Sequence, residues 1–367
     1  MTTVTASAPG KLVLTGEYAV LEGAPAVVLA LDRRAVVTLS DSEDAECHID
    51  APTLDIQNAR GRLDQNGHMQ WSELNETHRA QLALVSAVIE AAATSGTSGT
   101  SGTIKPFRAT LDTRAFFAAD ATQGKWGVGS SAALTVALAG ALHEHNQRGK
   151  PTIDTLLAAH RRVQHGRGSG LDIATSLTGG ALVYRLHDNQ PDITPVTWPA
   201  SLQLACIWSG RSASTGAMLQ QLAAWREQSP TAYIALMVEL ATGAEAAANA
   251  ISTGDVHTLL NAAALYANTL DRLGQASGLD IVCAEHRAIT AIATSCGVVY
   301  KTSGAGGGDI GIALSDDSER LQQFCQRVRS AGFLPLDIAP DARGLRLQSA
   351  ISQSPTKNGT EGWTSAA

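Results

Sequence analysis

The sequence predicts an α+β protein in two domains, and two observations carry that prediction. The chain has 367 residues, beyond the roughly 250–300 that one hydrophobic core usually organises. Its second half alternates helix-like segments with short apolar runs, the pattern of helices packed on a sheet. Hydrophobic residues make up 44% of the chain, close to the soluble norm, so a folded globular protein is expected.

Taken in order, Pro25–Leu31 and Val36–Leu39 read as two strands from their apolar content and the turn signals ahead of them. Residues 78–93 read as a helix, followed at 94–103 by the repeat TSGTSGTSGT. That repeat has no apolar residue to bury and is expected to be a flexible surface loop. Further helices are expected at 131–145, 154–165, 215–227, 231–252, 256–276, 281–295 and 318–330, with strands at 180–186, 202–208, 297–300, 310–314 and 344–348. Gly179-Gly180 and the polar stretch His187–Pro195 suggest a domain boundary there. The expected division is therefore 1–185, 186–348 and a disordered tail over 349–367, which is polar and lacks periodicity.

Charge and cysteine content narrow the function classes. There are 27 basic and 34 acidic residues, a net charge of −7, which leaves no basic footprint for nucleic acid. The five cysteines are scattered and odd in number, with no C-x-x-C pair, so reduced thiols in a cytoplasmic protein are expected. The start, MTTVTASAPGK, has neither a basic nor an apolar leader region. No apolar run approaches the roughly 18 residues of a membrane span, so no membrane partner is expected.

Four glycine-rich segments are candidates for chemistry. Gly10-Lys11 precedes the apolar Leu12–Leu14 and then Gly16-Glu17-Tyr18. A lysine between a tight turn and a buried strand has its ammonium aimed at one rim; a turn with a solvated lysine is the alternative. Lys125-Trp126-Gly127-Val128-Gly129-Ser130-Ser131 runs into an alanine- and leucine-rich helix. Unpaired N–H groups and about half a positive charge at a helix N-terminus favour an anion there. The Ser131 hydroxyl suits Mg²⁺, although a serine N-cap explains the same residues. The common phosphate-loop pattern G-x-x-x-x-G-K-[ST] is absent.

Gly168-Ser169-Gly170-Leu171-Asp172 places a carboxylate beside two glycines, or forms a helix capping box. Ser303-Gly304-Ala305-Gly306-Gly307-Gly308-Asp309, preceded by Lys301, is costly to order and implies something that needs the space; a flexible hairpin is the alternative.

In this order, APGKLVLTGEYAVL, GVGSSAA and KTSGAGGGDIGIAL resemble the three motifs of the galactokinase, homoserine kinase, mevalonate kinase and phosphomevalonate kinase (GHMP) superfamily. Gly16-Glu17-Tyr18, Lys125, Gly168–Ala174 and Ser209–Thr215 resemble the phosphomevalonate kinase branch. The resemblance implies an N-terminal domain like domain 2 of ribosomal protein S5 and a ferredoxin-like C-terminal domain. It implies ATP-dependent conversion of 5-phosphomevalonate to the diphosphate, with Mg²⁺, in a monomer or homodimer.

By the same resemblance, Lys125, Gly127, Val128, Gly129, Ser130, Ser131 and Ala132 bind nucleotide, and Ser131 also binds the metal. Lys11 and Asp172 are the implied catalytic pair. Acceptor contacts fall to those two with Tyr18, Lys125, Ser169, Gly170, Arg211, Ser214 and Thr215, and to Ser303, Gly304, Ala305 and Gly306 of the third motif. Two departures stand out. Arg211-Ser212 replaces the lysine and proline frequent in the branch, and Arg161 stands where mevalonate kinases carry a magnesium-binding glutamate. Because a phosphate monoester has a second pKa of about 6 and is already mostly dianionic at neutral pH, Asp172 is expected to orient Lys11 rather than remove a proton. An alcohol-phosphorylating relative such as mevalonate kinase, or a silent nucleotide and metabolite sensor, is the competing reading.

Overall fold

A computed structural model of the chain describes residues 2–65, 67–94, 104–118, 124–164 and 168–351. It opens with β1 (Thr2–Thr15) and β2 (Ala26–Asp41), long strands paired antiparallel along most of their length. The two strands expected at 25–31 and 36–39 are one. Pairing shifts between Pro9↔Arg34 and Gly10↔Leu31, so Asp32 and Arg33 form a bulge that interrupts the apolar run without ending the strand. The halves of β2 then serve different neighbours on its other edge.

Beyond it lie β3 (Cys47–Ala51), β4 (Ile56–Leu63), β5 (Met69–Ser72) and β6 (Phe107–Asp112). The helix expected at 78–93 is two, α1 (Glu76–Gln81) and α2 (Ala83–Thr94), joined at Leu82. Most of the TSG repeat, 95–103, lies outside the described residues. Helices α3 (Ser130–His145), α4 (Ile153–Val163) and α5 (Leu171–Thr178) precede β7 (Ala181–His187) and β8 (Gln190–Val196). The strand order is β13-β1-β2-β6-β3-β4-β5, with β7 pairing the first half of β2 and also β8. Here β13 is Arg346–Ile351, the return of the chain's far end.

The second sheet holds β9 (Gln203–Trp208), β10 (Val299–Thr302), β11 (Ile310–Ser315) and β12 (Leu334–Leu336), all antiparallel in the order β10-β11-β9-β12. Numbered within the domain and read from the other edge, that order is 4-1-3-2, the ferredoxin-like arrangement. Between its first two strands come α6 (Thr215–Gln228), α7 (Pro230–Thr253), α8 (Val256–Ser277) and α9 (Ala284–Ser295), and α10 (Ser318–Ser330) follows β11. By length and composition alone α7 is apolar enough to cross a membrane. Its buried face, from Tyr233 to Ile251, belongs to the core. Four of the five cysteines are buried and all are unpaired.

The α+β fold in two sheets is as expected, while the domain line expected at 185/186 falls inside β7. The larger sheet keeps β7 and β8 and recovers β13, so Ser349–Ile351 of the expected tail are strand; residues 352–367 lie outside the described residues. The returning chain is clamped by Arg34. Its guanidinium meets Asp341 at 2.6 Å and donates to the carbonyls of Ser7 at 2.8 Å and Gly344 at 2.5 Å. This clamp fixes β1, the strand that carries Lys11.

Asp341 is buried, which opposes ionisation, but hydrogen bonds from Arg343 N–H and Arg34 outweigh burial and hold its carboxyl below the usual range. A depressed folded-state pKa gives stability that is present above the ordinary carboxylate value and lost as pH falls through the folded one. Asp341→Asn is expected to cost about 2 kcal/mol at pH 7. Urea unfolding at stepped pH should show the difference shrinking once the solution is more acidic than ordinary carboxylates.

Candidate active site

Lys11 is fixed by the loop before α3. Gly10 passes so close that an added Cβ would sit 2.5 Å from the Val128 carbonyl oxygen. One residue on, Lys11 N–H donates to that carbonyl at 2.8 Å. The lysine stem crosses Gly129, where a Cβ would stand 3.0 Å from Lys11 Cγ, and Nζ ends beside Gly304. Gly127 and Gly129 have φ of 75° and 84°, in the region that favours glycine.

Gly129 is the residue that caps α3, and no side chain caps it. The serine N-cap alternative therefore fails, and the first N–H groups of α3 are left open. Ser131 Oγ lies 3.3 Å from Nε2 of the buried His160, so that histidine makes a polar contact.

Two more helices begin in the same way. Gly170, not Ser169, caps α5, so the alternative capping box does not form; Asp172 Oδ1 accepts from Ile173 N–H at 2.9 Å. Ser214 precedes α6 without a side-chain cap. The starts of α3, α5 and α6 all open on one cleft of about 340 Å³. Each adds partial positive charge at its rim; no side chain caps α3 or α6, whereas on α5 Leu171 N–H goes to Ser169 Oγ at 3.4 Å and Ile173 N–H to Asp172.

Across the cleft, the glycine run after β10 is tied to the end of β1. Lys301 Nζ donates to Glu17 Oε1 at 2.5 Å, with both side chains at most 3% exposed. Gly304 N–H reaches the same oxygen at 3.3 Å. Ser303 Oγ accepts from Val13 N–H and donates to the Val13 carbonyl, each at 3.0 Å. Tyr18 donates its hydroxyl proton to the Ala305 carbonyl, and Tyr266 donates to the Glu17 carbonyl at 2.6 Å. Burial lowers the Lys301 pKa against the opposing pull of Glu17, and burial raises that of Tyr18, with Glu17 adding to the rise.

Of the residues expected at the site, Lys11, Tyr18, Lys125, Gly127, Gly129, Ser131, Ser169, Asp172, Thr215, Gly304 and Ala305 line the cleft. Val128 and Ala132 lie beneath it, fully buried. Ser130, Gly170, Ser214, Ser303 and Gly306 do not line it either; Gly306 packs where a Cβ would meet the Ile281 carbonyl at 2.3 Å. Arg211 is the clear departure. Its guanidinium turns to Asp280 at 3.1 Å and Glu285 at 3.9 Å, outside the cleft, because two carboxylates near the start of α9 compete for it. Lys11 and Asp172 share the cleft without an ion pair among the described residues, so no direct contact carries the expected orienting role.

Glu17 and Asp309 also line the cleft. Neither is predicted for the site from the sequence, because beside the glycines and lysines of the same segments a lone carboxylate forms no pattern of its own. Burial lowers the Lys125 pKa while Asp309 counters and Lys11 adds to the shift.

Residues 117–180 match the family described as GHMP kinases N terminal domain. The whole chain has the two-domain GHMP kinase fold. It is a homologue of the phosphomevalonate kinase of Streptomyces sp. (strain CL190), with 29% identity over 94% of this chain and 98% of that one. Its fold is shared with a Lin0012 protein from Listeria innocua, at a TM-score of 0.82 and 23% identity over 95% of this chain and 100% of the other. Streptococcus pneumoniae phosphomevalonate kinase in complex with phosphomevalonate and AMPPNP matches at a TM-score of 0.73 and 20% identity, over 92% of this chain and 99% of that one.

Removing one member of a buried ion pair strands the other. Lys301→Met should cost about 3–5 kcal/mol, while Lys301→Met with Glu17→Gln should recover more than half of it. Urea unfolding of the two singles and the double measures the coupling; additive losses would mean the pair is not a unit.

Proposed function

We propose that the chain transfers the γ-phosphoryl group of ATP to the phosphate of 5-phosphomevalonate, giving 5-diphosphomevalonate and ADP. The observation that carries the reading is the convergence of Lys11, Lys125 and the N-termini of three helices, those of α3 and α6 without a side-chain cap, on one cleft. Homology to a phosphomevalonate kinase along nearly the full chain supports it. Phosphoryl transfer asks the protein mainly for positioning and charge stabilisation, and this cleft offers both.

The start of α3 cradles the nucleotide phosphates, with Gly127 and Gly129 letting the backbone approach. Lys11 holds the charge of the transferring group, and Lys125 holds the acceptor phosphate. Arg211 has no part in this, so the preference for a phosphorylated acceptor rests on Lys125 with Lys11. Mg²⁺ bound with ATP neutralises phosphate charge. The residues present fit it: the Ser131 hydroxyl, 3.3 Å from His160 Nε2, and the Asp172 carboxylate offer oxygen ligands in the same cleft. Arg161 cannot serve as a ligand, which leaves room for the waters this ion keeps.

The acceptor, mostly dianionic at neutral pH, needs no general base. Asp172 then acts through the field at the transfer site rather than by taking a proton. The reading holds for a monomer or a homodimer, in the cytoplasm.

A coupled ADP-release assay with 5-phosphomevalonate, mevalonate and homoserine tests it, and turnover of the first alone is expected. Turnover of mevalonate alone would replace it with an alcohol kinase, and ATP binding without turnover would leave a sensor. Within the assay, Lys11→Ala should lower kcat by about 10²–10³, and Asp172→Asn by less. The reverse order, with folding intact, would overturn the role given to Asp172.

A further inference from the structure

His286 is buried on α9 and meets the end of the glycine run without lining the cleft. Its Nε2 lies 2.9 Å from the Gly308 carbonyl oxygen, and its Nδ1 lies 2.8 Å from the hydroxyl of Tyr300 in β10. A carbonyl can only accept, so Nε2 carries the proton and Nδ1 accepts from Tyr300. Burial lowers the pKa of the ring, which favours this neutral form. Gly311 in β11 leaves room for the pair, because a Cβ there would overlap the Tyr300 hydroxyl.

The other side of the same peptide unit is held as well. Asp309 N–H donates to the Arg211 carbonyl at 2.6 Å, in the loop ahead of α6. Turning this peptide over would set its N–H against the Nε2 proton and its carbonyl against that of Arg211. The two partners therefore admit one orientation. It holds Asp309 at a φ of 54°, uncommon for a residue with a side chain, and the half-turn would restore a negative φ. Such strain persists where the surroundings over-determine it, and it clusters at functional sites. Here it directs the Asp309 carboxylate into the cleft. Oδ1 accepts from Ala213 N–H at 3.2 Å, and a Cβ on Gly127 would lie 2.3 Å from Oδ2. One carboxylate thus bears on the loop before α3 and on the start of α6.

We propose that His286 is a positioning residue. By clamping the peptide between Gly308 and Asp309 it keeps the Asp309 carboxylate wedged between Gly127 and Ala213, and so sets the spacing of the two walls of the cleft. This rests on the reading of the cleft as a phosphoryl-transfer site and deepens it. Phosphoryl transfer depends on alignment, so a slack clamp costs kcat. KM does not rise with it, because a displaced carboxylate no longer opposes the bound anions.

Two amides separate the bond to Gly308 from the bulk of the ring. His286→Gln reaches Gly308 with an N–H, and His286→Asn is too short to do so. In the ADP-release assay, with whichever acceptor is turned over, His286→Asn should lower kcat about tenfold without raising KM, and His286→Gln should stay within about threefold of wild type. Asp309→Gly tolerates the positive φ and lacks the carboxylate; in that background His286→Asn should lower kcat by less than about twofold. Equal losses in both backgrounds, equal losses from the two amides, or a loss carried by KM would overturn the proposal and leave His286 a packing residue. Amide exchange over residues 303–312, read by mass spectrometry, does not depend on the acceptor. It should quicken in His286→Asn and not in His286→Gln. Where no acceptor is turned over, or Asp309→Gly is inactive, unchanged exchange in His286→Asn overturns the clamp, so this proposal and the acceptor assignment fail separately.

Discussion

The contact between Lys301 and Glu17 joins the two sheets at the point where the chemistry sits. One end follows β1 and the other lies in β10, and both are out of water. Desolvating two charges costs several kcal/mol per ion, and their attraction offsets that only if the remaining donors and acceptors are satisfied. Lys301 also donates to the Thr302 carbonyl and Glu17 Oε1 takes Gly304 N–H as well, so that condition is met in part: Glu17 Oε2 is buried with no partner among the described residues. The hydrogen bonds from Tyr18 and Ser303 then follow as a consequence of register. With the end of β1 locked against the glycine run, Lys11 Nζ has one place to go, beside Gly304.

That lock explains why glycine is concentrated where it is. The chain has 34 glycines, about 9% against a usual 7% or so. Those at positions 10, 127 and 129 let three pieces of backbone approach Lys11, Val128 and Asp309 closer than any side chain would allow. Each costs conformational entropy on folding, and the N–H groups they leave unpaired at the start of α3 are the return. A net charge of −7 is no obstacle to anionic substrates, since screening over a Debye length of about 8 Å makes the sign of the nearest groups decisive.

Much of this was legible in the sequence, and the remainder was hidden for physical reasons. Long helices such as α7 and α8 announce themselves by length and period, and the ordered motifs located Lys11, Ser131 and Asp172. The strands β3 to β6 were not expected. Each is short, and in β4 only Ile56, Ala59 and Gly61 are buried among exposed neighbours, a pattern weaker than a continuous apolar run. Phe107–Asp112 does alternate buried and exposed, so β6 carried a signal that the longer helices overshadowed. The expected domain line falls inside β7 because that strand pairs with the first half of β2, and the expected tail is strand at its start because β13 pairs with β1; no local pattern reports partners so far away in the chain. Arg211 misled for a related reason. Its residue type suits a phosphate, but Asp280 and Glu285 are brought beside it only by the tertiary fold.

The charges around the cleft nearly cancel, and that balance has a catalytic logic. Lys301 and Glu17 neutralise each other, leaving Lys11 and Lys125 against Asp172 and Asp309. A cleft built only to hold polyanions would omit both carboxylates. Holding substrates and transition state equally tightly, however, lowers KM without accelerating the chemical step. Carboxylates in the cleft weaken the hold on the bound anions at rest. The lysines and helix N-termini keep their effect where charge is redistributed over the transferring phosphoryl oxygens, as fixed donors and dipoles aimed at developing charge do. The same two aspartates that look misplaced in an anion site therefore keep its binding energy differential.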